Sequence, residues 1–476
     1  MQSEVKYIFV DLDRTLVRTD LFVESVLKLV KANPLRMFSL LIWILQGRSY
    51  VKDRVARLVD LDMDYLPFEN QLIDYLWEQK NQGRKIVLAT ASNQRYAHQV
   101  AEYLGLFDRV IASDVELNLK GIKKLAAILR EADGEGFAYA GDSIADRPIW
   151  AESCSNILVN APRSDVERAR RQGKAEKVIT SPHSLGQALL KEMRIHQWAK
   201  NLLVFVPMFT SHAYIDVPML MSAALAFLCF GICASGVYFL NDMLDLEADR
   251  RHLTKRNRPL ASGELPLTIG IVGAGGLPLA AFIIALLFLP LSFVAVLLVY
   301  YLLTNAYSFF LKRISTADVM TLAVLYTLRV VAGSEAVNIE LSSWLMAFSV
   351  FVFVSLAYLK RYIEVSALSE TDEKAHGRGY SAADTETMFS LGASTITASV
   401  VILALYINSD EVAVLYRTPE LLWGLCLLML YWGNRIWIGA RRGKIFEDPV
   451  VFAIKDRVSQ MVGAAFVAVV LLARYV

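Results

Sequence analysis

The chain has 476 residues, 55% of them hydrophobic and 20% charged, with a mean hydropathy of +0.40; that average excludes an ordinary soluble enzyme, a disordered chain and a fibrous one, and makes lipid the solvent for much of the sequence. The 49 basic and 47 acidic residues leave a formal charge of +2, so no global field recruits nucleic acid and every charge argument is local. Cys154, Cys229, Cys233 and Cys426 follow no metal-ligand or disulfide spacing and read as reduced.

From the N-terminus, Met1 to Lys6 is polar and lacks the basic-then-apolar order of a secretory signal, which places the first domain in the cytoplasm. Up to about residue 193, short β-rich runs (YIFV, KIVLAT, VIA, FAYAG, NILVN) alternate with amphipathic helical stretches, the signature of a parallel α/β sheet covered by helices. Residues 34–47 (PLRMFSLLIWILQG) are apolar but too short to span a bilayer; the expectation is a helix packed on its neighbours, with contact at a membrane surface as the alternative.

Four elements of this half carry chemistry. Asp11-Leu-Asp13-Arg-Thr15 follows the first strand, Thr90 ends KIVLA, Lys120 lies in NLKG, and Gly141-Asp142-Ser143-Ile-Ala-Asp146 ends FAYA. A carboxylate that attacks a phosphate ester must approach another anion, so such a site needs a divalent cation and a fixed positive charge. Asp11 is the expected nucleophile. Asp13 would protonate the leaving oxygen and then activate water, and its main-chain carbonyl would join Asp11 and Asp142 in holding Mg²⁺. Asp146 would be a further ligand or orient the others. Thr90 and Lys120 would bind phosphoryl oxygens, with Lys123 or Lys124 as alternatives to Lys120.

These residues resemble the four motifs of the haloacid dehalogenase superfamily, over about residues 4–190. The resemblance implies a Rossmann-like phosphatase domain over residues 1–193, with a helical cap at about 18–84. The acid/base Asp13 favours a phosphatase over a dehalogenase.

Beyond residue 196 the pattern becomes a series of apolar blocks at roughly 201–213, 218–240, 268–289, 291–311, 316–337, 342–359, 388–407, 419–440 and 457–473. Nine crossings is the expected count, with eight as the alternative because the first block is short. Alternate connections carry Arg250 to Arg258, Lys312 and Arg313, Lys360 to Arg378, and Arg441 to Arg457, whereas the other set carries Arg417 and little else. By the positive-inside rule the basic loops face the cytoplasm, on the side of the N-terminal domain, and Val476 faces the opposite side.

The first long block ends in Asn241-Asp242-Met-Leu-Asp245-Leu-Glu-Ala-Asp249, followed by Lys255-Arg256-Asn-Arg258. Residues 241, 245 and 249 share a face if the segment is helical, and like charges stacked at that spacing call for a cation between them. An acidic face with a basic cluster a turn or two later suits a metal–diphosphate ligand.

This block resembles the first Asp-rich motif of the UbiA family of intramembrane prenyltransferases, and the resemblance covers about residues 190–476, with a transferase domain taken as 194–476. It implies an all-α membrane domain of about nine transmembrane helices around a central cavity. Aromatic prenyltransferases of the family carry a second acidic motif after the sixth span; here that place reads Tyr358-Leu-Lys360-Arg361-Tyr362-Ile-Glu364. Fewer carboxylates and more fixed cations suit a donor with an additional phosphate.

The stretches 194–207, 241–263, 305–318, 359–364, 377–380 and 447–457 resemble the decaprenyl-phosphate phosphoribosyltransferase branch of that family. The resemblance implies transfer of phosphoribose from 5-phosphoribosyl 1-pyrophosphate to a polyprenyl phosphate. Asn241, Asp242, Asp245 and Asp249 would hold Mg²⁺ and pyrophosphate, with Lys255, Arg256 and Arg258 neutralising the leaving group. Tyr307, Lys312, Lys360, Arg361, Arg378 and Tyr380 would bind the 5-phosphate or the lipid phosphate, and Lys200 the lipid phosphate. Asp318, Asp448 and Asp456 would orient cations or ribose. Arg329 reads either as a functional cation or as the ion-pair partner of Asp318. A phosphatase fused to such a transferase would remove the 5-phosphate to leave polyprenyl-phosphoryl ribose. The competing reading is an aromatic prenyltransferase using a prenyl diphosphate, its phosphatase domain unrelated or regulatory in role.

Overall fold

A computed structural model describes residues 5–115, 118–181, 184–366, 379–445 and 448–476. The chain divides into two compact units, one of residues 1–193 with 238–275 and the other of 194–237 with 276–476.

In the first unit six strands, β1 (Tyr7–Val10), β2 (Lys85–Asn93), β3 (Arg109–Ser113), β4 (Phe137–Gly141), β5 (Ser155–Val159) and β6 (Ala175–Ile179), form one sheet in the order β3-β2-β1-β4-β5-β6. Every pairing is parallel. Strands covered on both faces need unbroken apolar runs rather than alternation, and β1 and β4 have them: Ile8, Phe9, Val10, Ala138, Tyr139 and Ala140 are fully enclosed. Between β1 and β2 the chain builds α1 (Leu21–Ala32), α2 (Arg36–Ile44), α3 (Arg48–Leu58) and α4 (Asn70–Asn81). Asp20 starts α1 by accepting from the Val23 amide at 3.0 Å. The helix α5 (Gln94–Leu104) follows β2, capped by Asn93 and closed by Gly105 in the left-handed region. The helix α6 (Ile122–Ala132) precedes β4.

The chain has eight helices long and apolar enough to cross a membrane among the described residues: Val217–Leu244, Leu267–Phe288, Leu291–Phe309, Ala317–Val337, Ser343–Ser366, Ala382–Ile407, Pro419–Arg441 and Arg457–Tyr475. The expected ninth, at 201–213, is instead a 3-10 helix, Ile195–Phe205, followed by the five-residue helix Val206–Thr210. Pro207 sits in the first turn of that short helix, and the whole stretch falls short of the ~20 residues of a regular span. In the second unit, helices approach through a glycine: a Cβ on Gly392 would stand 2.1 Å from the Trp437 ring, whose indole N–H donates to Ser355 Oγ at 3.0 Å.

Candidate active sites

The strand order reverses direction between β1 and β4, and in an open parallel sheet the crevice at the carboxyl ends of such strands is where ligands sit. Asp11 leaves the end of β1 there, and Asp142 and Asp146 follow β4. One oxygen of each of these three lies within 4.8 Å of the others, and no other trio of His, Cys, Asp or Glu among the described residues is so arranged. Gly141 permits the approach, because a Cβ there would stand 2.9 Å from Asp146 Oδ2. Burial pushes Asp142 up to about 7; Arg14, its Nε 3.7 Å away, pulls it back, and Asp11 and Asp146 add to the rise. Three clustered carboxylates outnumber the cations Lys124 and Arg14 beside them, a donor set that fits a hard divalent cation.

The lysine that enters the crevice beside Asp11 is Lys124, not Lys120. Lys124 Nζ lies 2.8 Å from Asp11 Oδ2 and 3.5 Å from Asp146 Oδ1, and donates to the Tyr139 hydroxyl at 2.8 Å. Its side chain is 4% exposed residue-wide, whereas Lys120 is exposed. The cause is local. Gly121, at φ +59°, turns the chain into α6, and helical side chains lean toward the helix N-terminus, so Lys124 reaches back into the crevice while Lys120 stays on the loop. Burial works to lower the Lys124 pKa, and the charges of Asp11 and Asp146 outweigh it and raise it.

Asp13 faces elsewhere. One carboxylate oxygen accepts from the Leu21 amide at 2.9 Å and the other from Ser92 Oγ. Burial, with the charge of Asp20 behind it, pushes Asp13 up to about 7 against these two hydrogen bonds. A carboxyl poised at that value can give a proton and take it back near neutral pH. Thr90 is buried within β2, its Oγ1 accepting from the Ser92 amide at 3.0 Å. Ser92 and Lys52 are absent from the sequence motifs. Lys52, on α3, donates to the Ala91 carbonyl at 2.7 Å, and burial lowers its pKa although Asp13 and Asp20 oppose this.

The Asp-rich segment belongs to the same compact unit. Its helix breaks at Asp245, between Val217–Leu244 and the short helix Leu246–Arg251, but i to i−4 bonding runs through the break from Asp245 N to Asn241 O and from Asp249 N to Asp245 O. Asp242 and Asp249, both buried, share the Arg258 guanidinium at 3.1 and 2.5 Å. Burial raises the Asp249 pKa in spite of Arg258. Asp245 instead meets Lys31 Nζ of α1 at 3.1 Å, so the carboxylates of the segment are divided between two cations, with Arg258 tied to Asp242 and Asp249. Asp242, Asp245 and Asp249 are not grouped as Asp11, Asp142 and Asp146 are, and Arg258 already pairs with two of them. Lys255 and Arg256 are exposed beside them, and Asn241 is half-buried.

The face of α1 that carries Lys31 grips this segment along its length. Arg250 holds Glu24 with two bonds of 2.6 and 2.9 Å, both groups buried, and Lys28 meets Glu247 at 2.8 Å. Arg251 reaches Asp62 at 2.9 Å.

In the second unit Asp448 receives Lys200 at 2.7 Å and Lys360 at 3.3 Å. Lys200 and Arg329 both lie against the Tyr326 ring, 6.0 and 5.7 Å from its centroid. Arg329 does not pair with Asp318. Its guanidinium donates to Asn201 Oδ1 at 2.9 Å, the Tyr300 hydroxyl at 3.1 Å and the Leu325 carbonyl, all neutral. Two lysines thus share one carboxylate, with Arg329 on the Tyr326 ring beside Lys200, and the Asp448 carboxyl, buried but flanked by the lysines, is held well below the usual range. Asp318 belongs to Arg361, with Tyr307 donating to it at 2.7 Å. The Tyr380 hydroxyl accepts from the Thr316 amide at 2.7 Å. Lys312 is half-buried, and Arg378 lies outside the described residues. Asp456, expected near ribose or cations, is bound by Arg435 at 2.7 and 3.0 Å and caps its helix by accepting from the Ser459 amide. There its carboxylate orients one cation, the Arg435 guanidinium.

Residues 202–452, more than half of the chain, match the UbiA prenyltransferase family. The chain belongs to that family. Residues 8–150 match the haloacid dehalogenase-like hydrolases, so an N-terminal hydrolase domain is fused to a UbiA-type membrane domain. Over 457 residues the chain is 35% identical to the uncharacterized protein y4nM of Sinorhizobium fredii, covering 95% of this chain and 88% of that one, so the fusion extends to both. It is 32% identical over 274 residues to the nodulation protein NoeC of Azorhizobium caulinodans, covering 55% and 85%. It is also 29% identical over 308 residues to a decaprenyl-phosphate phosphoribosyltransferase of Mycolicibacterium smegmatis, covering 62% and 95%. The UbiA-family chain is an integral membrane enzyme with a transferase and a hydrolase domain.

Proposed function

We propose that the membrane domain transfers 5-phosphoribose from 5-phosphoribosyl 1-pyrophosphate to a polyprenyl phosphate such as decaprenyl phosphate, and that the hydrolase domain then removes the 5-phosphate. The observation that carries this reading over a prenyl diphosphate donor is the set of cations Lys200 and Lys360, which share the single carboxylate of Asp448, and Arg329, which lies with Lys200 against the Tyr326 ring. A buried guanidinium with only neutral partners in a membrane domain calls for an anion, and a donor with a second phosphate supplies one. The likeness to phosphoribosyltransferases supports the same donor.

In the transfer, the bond from the anomeric carbon to pyrophosphate breaks, pyrophosphate leaves with the electron pair, and an oxygen of the lipid phosphate bonds to that carbon. Asn241, Asp242, Asp245 and Asp249 would hold Mg²⁺, which when bound neutralises the pyrophosphate. Arg258 positions Asp242 and Asp249, and Lys255 and Arg256 face the leaving group. Lys200, Lys360 and Arg329 hold the 5-phosphate and the lipid phosphate, with Tyr307, Lys312, Arg361, Arg378 and Tyr380 as the remaining polar groups, and Asp318 and Asp448 set the orientation of Arg361 and the two lysines. Positioning and charge neutralisation supply most of the rate.

In the hydrolase domain a carboxylate oxygen of Asp11 attacks phosphorus, and the ester P–O bond breaks as Asp13 gives its proton to the ribose 5-oxygen. Asp13 then takes a proton from water, which attacks the aspartyl phosphate and releases inorganic phosphate. Lys124 and Thr90 hold phosphoryl oxygens, and Asp142 and Asp146 with Asp11 would hold Mg²⁺. The basic loops and the first domain face the cytoplasm, and the membrane is the cytoplasmic one.

Mass spectrometry of the lipid formed from the two substrates and Mg²⁺ tests the scheme, comparing the whole chain with Asp11→Asn. Phosphate-free ribosyl lipid from the former and 5-phosphorylated lipid from the latter are expected. No ribosyl lipid from either overturns the donor and returns the aromatic prenyltransferase; the same 5-phosphorylated lipid from both overturns the second step.

A further inference from the structure

We infer that α2 is a membrane-surface helix, through which the cap of the hydrolase domain rests in the headgroup layer of the bilayer. Its packed side is a single stripe: Leu40 is buried, and Arg36, Ser39 and Trp43 are half-buried. A helix on a water-facing surface would carry polar residues on the other side. Here that side carries Leu35, Met37, Phe38, Leu41, Ile42, Ile44 and Leu45, each between 55 and 87% exposed. Elsewhere in residues 5–193 exposed apolar side chains are scattered, and scattered ones are ordinary, whereas seven within eleven positions form a patch that water does not suit.

The charges around the patch indicate its occupant. Between Glu24 and Asp53 the sequence has Lys28, Lys31, Arg36, Arg48 and Lys52 and no acidic residue. Arg36, Arg48 and Arg54 make no ion pair among the described residues, and Arg54 lies over the Trp43 ring at 5.8 Å. An apolar face with tryptophan and unpaired arginines at its margins matches an anionic lipid surface.

Position agrees. Lys31, on the last turn of α1, touches Asp245, the first residue after the membrane helix Val217–Leu244, and α2 begins five residues after Lys31. The same compact unit contains the end of that helix and the start of Leu267–Phe288. The helix itself is nine residues, about 13 Å at 1.5 Å per residue, so it lies along the surface and does not cross.

The test uses the whole chain with Cys154 changed to Ser, reconstituted in vesicles of phosphatidylethanolamine and phosphatidylglycerol. A polarity-sensitive fluorophore is attached at Leu41→Cys or, as a water-facing control, at Leu129→Cys on α6. The Leu41 probe is expected to emit at shorter wavelength and to lose at least half of its intensity to nitroxide-labelled lipid, while the Leu129 probe does neither. Equal behaviour of the two probes overturns the inference. So does energy transfer between Leu41 probes on different molecules that persists when lipid quenching is absent, because the face is then covered by a second copy. Hydrolysis of a water-soluble phosphate ester by each labelled protein confirms that the domain is folded, independently of the lipid readout.

Discussion

Replacing Lys124 by Met removes a charge while keeping most of the side-chain volume. In the structure that ammonium is 2.8 Å from the carboxylate of Asp11, the proposed nucleophile, and 3.5 Å from Asp146, in a crevice where it and the half-exposed Arg14 are the cations facing three acids. A lost charge-assisted hydrogen bond of this kind costs about 1.5–3 kcal/mol, and at ~1.4 kcal/mol per tenfold that alone is roughly 10- to 150-fold. Loss of a preorganised group facing the charge that develops on the phosphoryl oxygens extends the range to about 10²–10³ in kcat. Lys120→Met, on the exposed loop, should stay within about twofold. The assay is hydrolysis of a chromogenic phosphate monoester by the whole chain at saturating Mg²⁺, with a thermal melt to confirm that both variants fold. The Lys124 pKa is raised in the folded chain, so its contribution is complete below the ordinary lysine value and is lost only as pH rises through the higher folded one. The contrast between the two variants should therefore be the same at pH 6 and pH 9. An inactive Lys120→Met beside an active Lys124→Met would refute the assignment.

Asp245→Asn should abolish pyrophosphate release from the donor while ester hydrolysis survives; full turnover would sink the metal assignment in the membrane domain. Glu24→Gln leaves Arg250 buried without its charge partner, a change of a kind that costs about 3–5 kcal/mol, and hydrogen exchange should show the first unit opening more often, which an unchanged exchange pattern would contradict. Adding Mg²⁺ at about 100 times its dissociation constant should stabilise the chain by about 2.7 kcal/mol, read as a rise in melting temperature that Asp142→Asn reduces; an equal rise in both excludes the Asp11, Asp142 and Asp146 cluster. Arg329→Met should raise the KM for the phosphoribosyl donor more than tenfold with the melting temperature preserved, and an unchanged KM would make Arg329 a packing residue.

Much of this geometry could be anticipated because it is local. Asp11 and Asp142 converge because each directly follows a strand whose neighbours the βα alternation already implied, and Asp146 joins them from the 3-10 turn after β4. Lys120 and Lys124 are four residues apart, and choosing between them requires knowing where α6 begins, which depends on the positive φ of Gly121. Ser92 hydrogen-bonds Asp13 from another strand, and Lys52 arrives from the cap, so no spacing in the sequence signals either. The Asp-rich segment shows the same limit: periodicity put residues 241, 245 and 249 on one face, but Lys31 and Arg258 divide the carboxylates between two partners. Arg329 and Asp318 share a helix but stand eleven residues apart, about 16 Å at 1.5 Å per residue, and Asp318 is held by Arg361 from a neighbouring helix.

The contacts of α1 bear on the membrane topology as well. Glu24, Lys28 and Lys31 bind residues 245–250, which emerge directly from the helix Val217–Leu244, so α1 is anchored where that helix ends. Residues 194–216, which lead into the start of that helix, form Ile195–Phe205 and Val206–Thr210 and not a regular span. Buried Lys200 and Asn201 lie within that stretch, and Asp448 and Arg329 supply their partners. Irregular backbone is tolerated at membrane depth where it is enclosed by protein or lines a polar cavity. The proposed anion site would thus draw Lys200, and Asn201 as the partner of Arg329, from the stretch that lacks helical regularity.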